Sequence, residues 1–226
     1  SHDEAVVGCV LVVRDVSQSR KTTHEIEHRA QHDALTGIFN RHAFEAALEA
    51  NTQTEYYQHS LCYIDLDQFK IVNDTCGHLA GDELLRQITH ELSATIRQSD
   101  IFARLGGDEF TIGLAGMHQI EKVADIADGI LQKLSQPINL SGHQVVISTS
   151  IGIAVYPNDA ETYDELLRNA DMAMYHAKEE GKNNFQFFMP AMNKQAHHRL
   201  LLENKLRDAI EQDHFQLFYQ PQIDLK

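Results

Sequence analysis

The 226-residue sequence has no apolar run near the roughly 20 residues that span a bilayer. Its first residues, SHDEAVVG, lack the basic start and apolar stretch of a signal peptide. The expectation is a cytoplasmic segment without membrane contact of its own, whether or not a parent protein is anchored upstream. Basic residues are also scarce: 19 Lys and Arg stand against 33 Asp and Glu, a formal charge of −14. That field repels duplex DNA and RNA and argues against a nucleic-acid-binding role. It leaves room for a small phosphorylated ligand, because a cation can neutralise a local carboxylate cluster. Cys9, Cys62 and Cys76 form neither an even framework nor a C-x-x-C pair, which suits a reducing compartment. Fourteen histidines are scattered without a metal-ligand spacing.

What is present reads as helices alternating with hairpins. Residues 8–15, GCVLVVRD, read as the last strand of a domain cut away upstream. Residues 16–33 are polar and helical in pattern, with Ser17 as an early cap: a linker helix, or a solvated tail. The nearly continuous apolar run LCYIDL at 61–66 fits a strand covered on both faces. Leu84, Leu85, Ile88, Leu92 and Ile96 mark one face of a long helix. FARL at 102–105 and EFTIGL at 109–114 flank Gly106-Gly107, a strong hairpin signal with both glycines in the turn. A third helix carries Ile120, Val123, Ile126, Ile130 and Leu134, and strands 137–141 and 144–155 meet at Ser141-Gly142. A fourth helix, marked by Leu166, Ala170, Ala173, Met174 and Ala177, leads to a closing strand, Phe185–Phe188. Beyond Pro190, a helix at about 199–212 and a strand at 215–220 look like the opening of a further domain. The expected fold is α/β, with a mixed, largely antiparallel central sheet surrounded by helices.

Two acidic pairs occupy unusual places. Asp65 and Asp67 end the buried-looking strand, and Asp108 and Glu109 follow the Gly-Gly turn directly. An unpaired buried charge is costly. If the pairs meet, like charges about 4 Å apart repel by roughly 4 kcal/mol at an effective dielectric near 20. A divalent cation relieves that repulsion, and hard oxygen ligands suit Mg²⁺. Exposed turn acids are the bland alternative. Gly77-His78 and Gly81-Asp82 precede the helical run from Glu83, so glycine would let a ligand approach helix-end amides. Lys178 and Lys182 sit near a helix end, where two lysines are more often ordinary dipole complements than ligand contacts.

The string RLGGDEF at 104–110 resembles the signature of the GGDEF family of diguanylate cyclases. Further blocks resemble the family in order and spacing: DALTGIFNR at 33–41, DLDQFKIVND at 65–74, GHLAGDELL at 77–85, SIGIAVYP at 150–157 and ADMAMYHAKEEGKNN at 170–184. The match covers about residues 30–188, and the family's fold is similar to the nucleotidyl cyclase and polymerase palm. VRDVSQSRK at 13–21 is similar to the exit from a PAS sensor domain. LLENKLRDAIEQDHFQLFYQPQIDL at 201–225 looks like the start of an EAL phosphodiesterase domain. The division implied is 1–16 PAS-like remnant, 17–32 linker helix, 33–190 GGDEF domain and 191–226 linker with a truncated EAL-like start.

The resemblance implies that two GTP molecules are condensed into cyclic di-GMP with release of two pyrophosphates, across a twofold homodimer. Asp65, the Leu66 carbonyl and Asp108 would hold Mg²⁺, with Mn²⁺ as a substitute. Glu109 would be a second-metal ligand or proton acceptor, and the choice between Asp108 and Glu109 as acceptor stays open. Lys70 would offset phosphate charge, and Lys178 and Lys182 would bind the phosphate tail. The family often has Arg at this last position, and Lys lacks its bidentate fork. Asn73 and Asp82 would read guanine, with His78 nearby. A carboxylate accepts from guanine N1–H and the amino group, whereas adenine presents an acceptor at N1. Arg97 and Asp100 match the family's inhibitory product site. The alternative reading is a catalytically weak GTP-binding module that regulates an attached EAL phosphodiesterase. A purely structural unit would leave the acids, Asn73 and Asp82 unexplained.

Overall fold

The computed structural model describes residues 29–52, 58–140 and 142–193, with short stretches between 205 and 216. The expected strand at 8–15, most of the linker helix and most of the strand at 215–220 lie outside the described residues. Residues 29–31 are helical, as are 205–206 and 208–210 within the helix expected at 199–212.

The described chain runs β1 (Phe39–Asn40), α1 (Arg41–Thr52), β2 (His59–Asp67), α2 (Phe69–Cys76), α3 (His78–Ser93), β3 (Ile101–Gly106), β4 (Glu109–Ala115) and α4 (Ile120–Leu134). It continues through β5 (Ile138–Leu140), β6 (His143–Val145), β7 (Ser148–Tyr156), α5 (Tyr163–Glu179) and β8 (Phe185–Phe187). Six strands form one sheet in the order β1-β3-β4-β2-β7-β8. The three central pairings are antiparallel, and the outermost strands, β1 and β8, add in parallel. This is the mixed, largely antiparallel sheet expected.

All nine residues of β2 are buried, which is why LCYIDL lacks a polar face. Alternate side chains leave opposite faces of a strand. Cys62, Ile64 and Leu66 enter a core shared with Leu84, Leu85 and Ile88 of α3 and Val123 and Ile130 of α4. Leu61 and Tyr63 enter a second core with Phe44 and Leu48 of α1 and Leu166, Ala170 and Met174 of α5. The molecule is thus three layers, and every odd-numbered acid of β2 emerges on the α1 and α5 side. Thr162 caps α5 by accepting from the Glu165 amide at 3.2 Å. Two glycines set helix placement. A Cβ at Gly152 would run into the α5 backbone at Ala170 and Met174, so α5 lies directly on β7. A Cβ at Gly81 would overlap the Asn73 amide, so α2 and α3 pack closely there.

Three expectations need correction. The single strand at 144–155 is two: β6 pairs with β5 in a separate two-stranded sheet, and β7 joins the main sheet after a break at Val146-Ile147. The signature hairpin turns on Gly107-Asp108, because Gly106 still pairs with Glu109 across a bulge that begins at Arg104. Both glycines nevertheless have positive φ, 147° and 53°. Finally, α3 begins at His78, so Gly81 and Asp82 lie inside its first turns and not ahead of it.

Gly152→Ala is expected to destabilise the fold by about 1–3 kcal/mol, the usual cost of overpacking a filled site. Urea unfolding measures it, and an unchanged midpoint would mean that α5 stands off the sheet.

Candidate active site

The site is assembled where β2 ends and the β3–β4 hairpin turns. Asp65 is directly opposite Glu109 in the β2–β4 register, and the Leu66 amide donates to the Asp108 carbonyl at 3.3 Å. Both acidic pairs singled out above therefore meet. Asp65 is buried, with 7% exposure, and its carboxylate accepts a 2.8 Å charge-assisted bond from Lys178 Nζ, in the last turn of α5. Burial pushes the Asp65 carboxyl up to about 6; Lys178 opposes this, while the charges of Asp108 and Glu109 add to it. Among the described residues, no three His, Cys, Asp or Glu side chains converge closely enough to hold a metal ion.

Asp67 has a different task. Its two carboxylate oxygens accept from Ser148 Oγ and Ser150 Oγ, each at 2.8 Å, and from the Asn183 amide at 3.3 Å. The last bond fastens the loop after α5 to the end of β2. That loop has positive φ at Gly181, Lys182 and Asn183, a costly conformation for the two side-chain-bearing residues, and it presents an exposed Lys182. The carboxylate of Asp67 is thus occupied in holding the lysine-bearing segment.

A second brace holds the signature turn. Arg104 donates to the Gly107 carbonyl through Nε and Nη2, at 3.0 and 2.7 Å, and forks onto both oxygens of Asp33 at 3.0 and 3.2 Å. Burial would raise the Asp33 carboxyl, but hydrogen bonds from Thr36 and Arg104 outweigh it and hold the group below the usual carboxylate range. The DALTG block and the signature are therefore one structural unit.

The other expected residues are distributed as follows. Lys70 is exposed in the first turn of α2, and Asn73 is half-buried against Gly81 of α3, one residue before the half-buried Asp82. His78, the first residue of α3, is exposed. A cleft of about 340 Å³, lined by Asp67, Ile71, Thr75, Cys76 and Val146, opens on the side of α2 opposite Asn73 and does not include these residues. Arg97 and Asp100 lie at the far end of β3, about 17 Å from the signature turn by strand rise. Arg97 is exposed, and both Asp100 oxygens accept backbone amides, from Arg97 at 2.9 Å and Ala115 at 3.1 Å. The carboxylate of Asp100 is engaged in its own turn.

Sequence reasoning missed Tyr63, Arg41 and Asp171. Tyr63 is a diagonal neighbour of Glu109 across β2 and β4, and Glu109, Asp171 and Arg41 all lie within electrostatic range of it. Two signals pointed there: Tyr63 is two residues from Asp65 on one strand, and Asp171 is two helical turns before Lys178.

A family model for the diguanylate cyclase GGDEF domain matches residues 30–184. The chain belongs to the GGDEF family. Among GGDEF relatives, it is 41% identical over 206 residues to the bifunctional diguanylate cyclase/cyclic di-GMP phosphodiesterase MucR of Pseudomonas aeruginosa, covering 90% of this chain and 30% of MucR. It is 35% identical to the cyclic di-GMP phosphodiesterase PdeR of Escherichia coli, covering 92% of this chain and 32% of PdeR. The solved GGDEF domain of TpbB from Pseudomonas aeruginosa superposes with a TM-score of 0.71 at 38% identity, over 74% of this chain and 99% of that domain. The GGDEF structure of DgcB from Caulobacter crescentus, solved with c-di-GMP, gives 0.71 at 26% identity, over 76% and 93%. The chain spans about a third of the length of MucR and PdeR. Its fold is that of the GGDEF cyclase palm domains.

The raised Asp65 carboxyl has a pH signature in chelator. A carboxyl with a raised folded pKa stabilises the fold fully below its unfolded value of about 3.8, and that contribution is lost as pH rises through about 6. Relative to Asp65→Asn, the wild type is expected to lose roughly 2–3 kcal/mol between pH 4 and pH 6.5. Urea unfolding at both pH values measures it; a constant difference would place Asp65 in water.

Proposed function

We propose that this GGDEF module condenses two GTP molecules into cyclic di-GMP, releasing two pyrophosphates, when two copies face each other with twofold symmetry. The observation that carries the reading is the pairing of Asp65 with Glu109 across β2 and β4, next to Asp108 in the signature turn and beside Lys178. Each copy supplies half a site, so both 3′-hydroxyls attack the α-phosphate of the opposite nucleotide. The proposed catalytic module is 33–190, acting in the cytoplasm where GTP is available, with 17–32 as linker helix between a PAS-like end and this module. Residues 191–226 would lead into an EAL-like domain.

The donor set fits Mg²⁺. Asp65, Asp108, Glu109 and the Leu66 carbonyl are hard oxygen ligands, and a divalent cation would offset both the burial that raises Asp65 and the smaller repulsion from Asp108 and Glu109. Held there, the ion would supply charge to the α-phosphate and acidify the attacking hydroxyl. The chain's residues do the rest. Asn73 and Asp82 hydrogen-bond the guanine edge, beside His78. Lys70 offsets phosphate charge. Lys178 leaves Asp65 for the phosphate tail, where Lys182 joins it, and the hydroxyl proton passes to a carboxylate of the Asp108–Glu109 pair.

A second reading has its own support. Lys178 already neutralises Asp65, and the relatives include phosphodiesterases as well as cyclases. On that reading the module binds GTP and regulates an attached EAL phosphodiesterase without synthesis of its own.

Product chromatography after incubation with GTP and Mg²⁺ separates the two. The cyclase reading expects cyclic di-GMP, formed with a steeper-than-linear dependence on protein concentration. It also expects turnover of ATP lower by about 10⁴-fold, the scale on which a hydrogen-bonding site rejects an unmatched analogue. GTP binding without product at high protein concentration would favour the regulator. For the proposed product site, Arg97→Ala is expected to weaken inhibition by added cyclic di-GMP severalfold. Asp100→Ala should also lower stability, because Asp100 caps its own turn. Inhibition unchanged in Arg97→Ala would remove that site from the proposal.

A further inference from the structure

Behind the acid cluster, on the α5 side of the sheet, is a hydroxyl. Tyr63 precedes Asp65 by two residues on β2, so both side chains leave the same face. Glu109, opposite Asp65 on β4, shares that face, which makes Tyr63 and Glu109 diagonal neighbours across the strand pair. Tyr63 is 5% exposed and belongs to the core formed with Ala170, Ala173 and Met174 of α5. Its hydroxyl is within electrostatic reach of the Glu109 carboxylate, which adds to burial in holding the phenol above its ordinary range.

The two partners differ in freedom. The tyrosine ring has two torsions and is clamped by the helix above it. Glu109 is half-buried on a flexible stem, next to a turn entered through Gly106 and Gly107. A rigid donor that meets a mobile carboxylate fixes the carboxylate. The fixed direction is set from inside the core, while Lys178 restrains the neighbouring Asp65. A phenylalanine fills the same space and has no donor to offer.

We infer that Tyr63 is a positioning residue for Glu109, its hydroxyl fixing the carboxylate that serves the reacting hydroxyl or the metal ion. This rests on the cyclase reading given above. The bland alternative is that Tyr63 only fills the core, in which case losing its hydroxyl affects stability and nothing else.

The test compares wild type, Tyr63→Phe, Glu109→Gln and the double variant. Three quantities are read: kcat and KM for GTP, the unfolding midpoint, and Mn²⁺ affinity by electron paramagnetic resonance with a slowly hydrolysed GTP analogue. Loss of a hydrogen bond to a charged group is expected to lower kcat about tenfold in Tyr63→Phe while KM changes less than about twofold. Mn²⁺ affinity is expected to fall about threefold or more, and the tyrosine substitution should cost nothing further in the Glu109→Gln background. A lower unfolding midpoint with kcat and Mn²⁺ affinity unchanged would make Tyr63 core packing alone and overturn the proposal. So would a full additive loss in the double variant. If wild type makes no cyclic di-GMP, the cyclase reading fails by itself, and the Mn²⁺ comparison decides: equal affinities of wild type and Tyr63→Phe overturn the role of Tyr63.

Discussion

The arrangement of this domain turns on one carboxylate, Asp65, placed at the end of a strand that is buried along its whole length. A charge in that position is expensive unless a partner is brought to it. The partner is Lys178, and delivering it dictates the placement of a whole helix. Lys178 is in the last turn of α5, so α5 must lie across β7 and β2. It lies there only because Gly152 leaves its backbone room. The chain must then return to pair β8 beside β7, which it does through a loop held in positive-φ conformations and fastened by Asp67. One ion pair thus accounts for the helix, for a glycine in the sheet and for the strained loop.

Much of this was legible in residues alone, and the reasons differ by element. The β2 run and the stripes of α3, α4 and α5 were clear because burial on one or two faces leaves a period in the sequence. The eight-residue helix α2 left none: Val72 is its only buried residue, and it starts from a left-handed Gln68 that looks like nothing in particular. The division of 144–155 into β6 and β7 was hidden because QVVIST has strand chemistry throughout. A pattern of period two does not say which sheet a strand joins. The start of α3 was misplaced for a related reason. Gly81 looked like punctuation, but it is a contact surface for Asn73.

The site was legible to the same degree. Acids in implausible positions identified themselves, and the structure brings Asp65 and Glu109 face to face. Asp67 looked equivalent to Asp65 and is not, because two serines and an amide have already taken its oxygens. Tyr63 was passed over, since a tyrosine inside an apolar run reads as packing and its two-residue spacing from Asp65 is a weak signal. Its partner is distant in sequence, and only the sheet register makes them neighbours.

These local pairings shape how a triphosphate would be received. The chain carries −14 overall, so an anionic nucleotide approaches against the mean field and needs local cations. Of the two lysines near the acid cluster, exposed Lys182 is free of any carboxylate at ordinary ion-pair distance among the described residues, whereas Lys178 is committed to Asp65. On the proposed reaction Lys178 cannot serve Asp65 and a phosphate together. Its release leaves a buried carboxylate that needs a new cation, and a cation on Asp65 frees the lysine for phosphate. Metal and nucleotide would therefore assist each other's binding by the same factor, as linkage requires. Either alone would face the cost of breaking the pair, so on that reading the Asp65–Lys178 contact is both a brace of the fold and a threshold for binding.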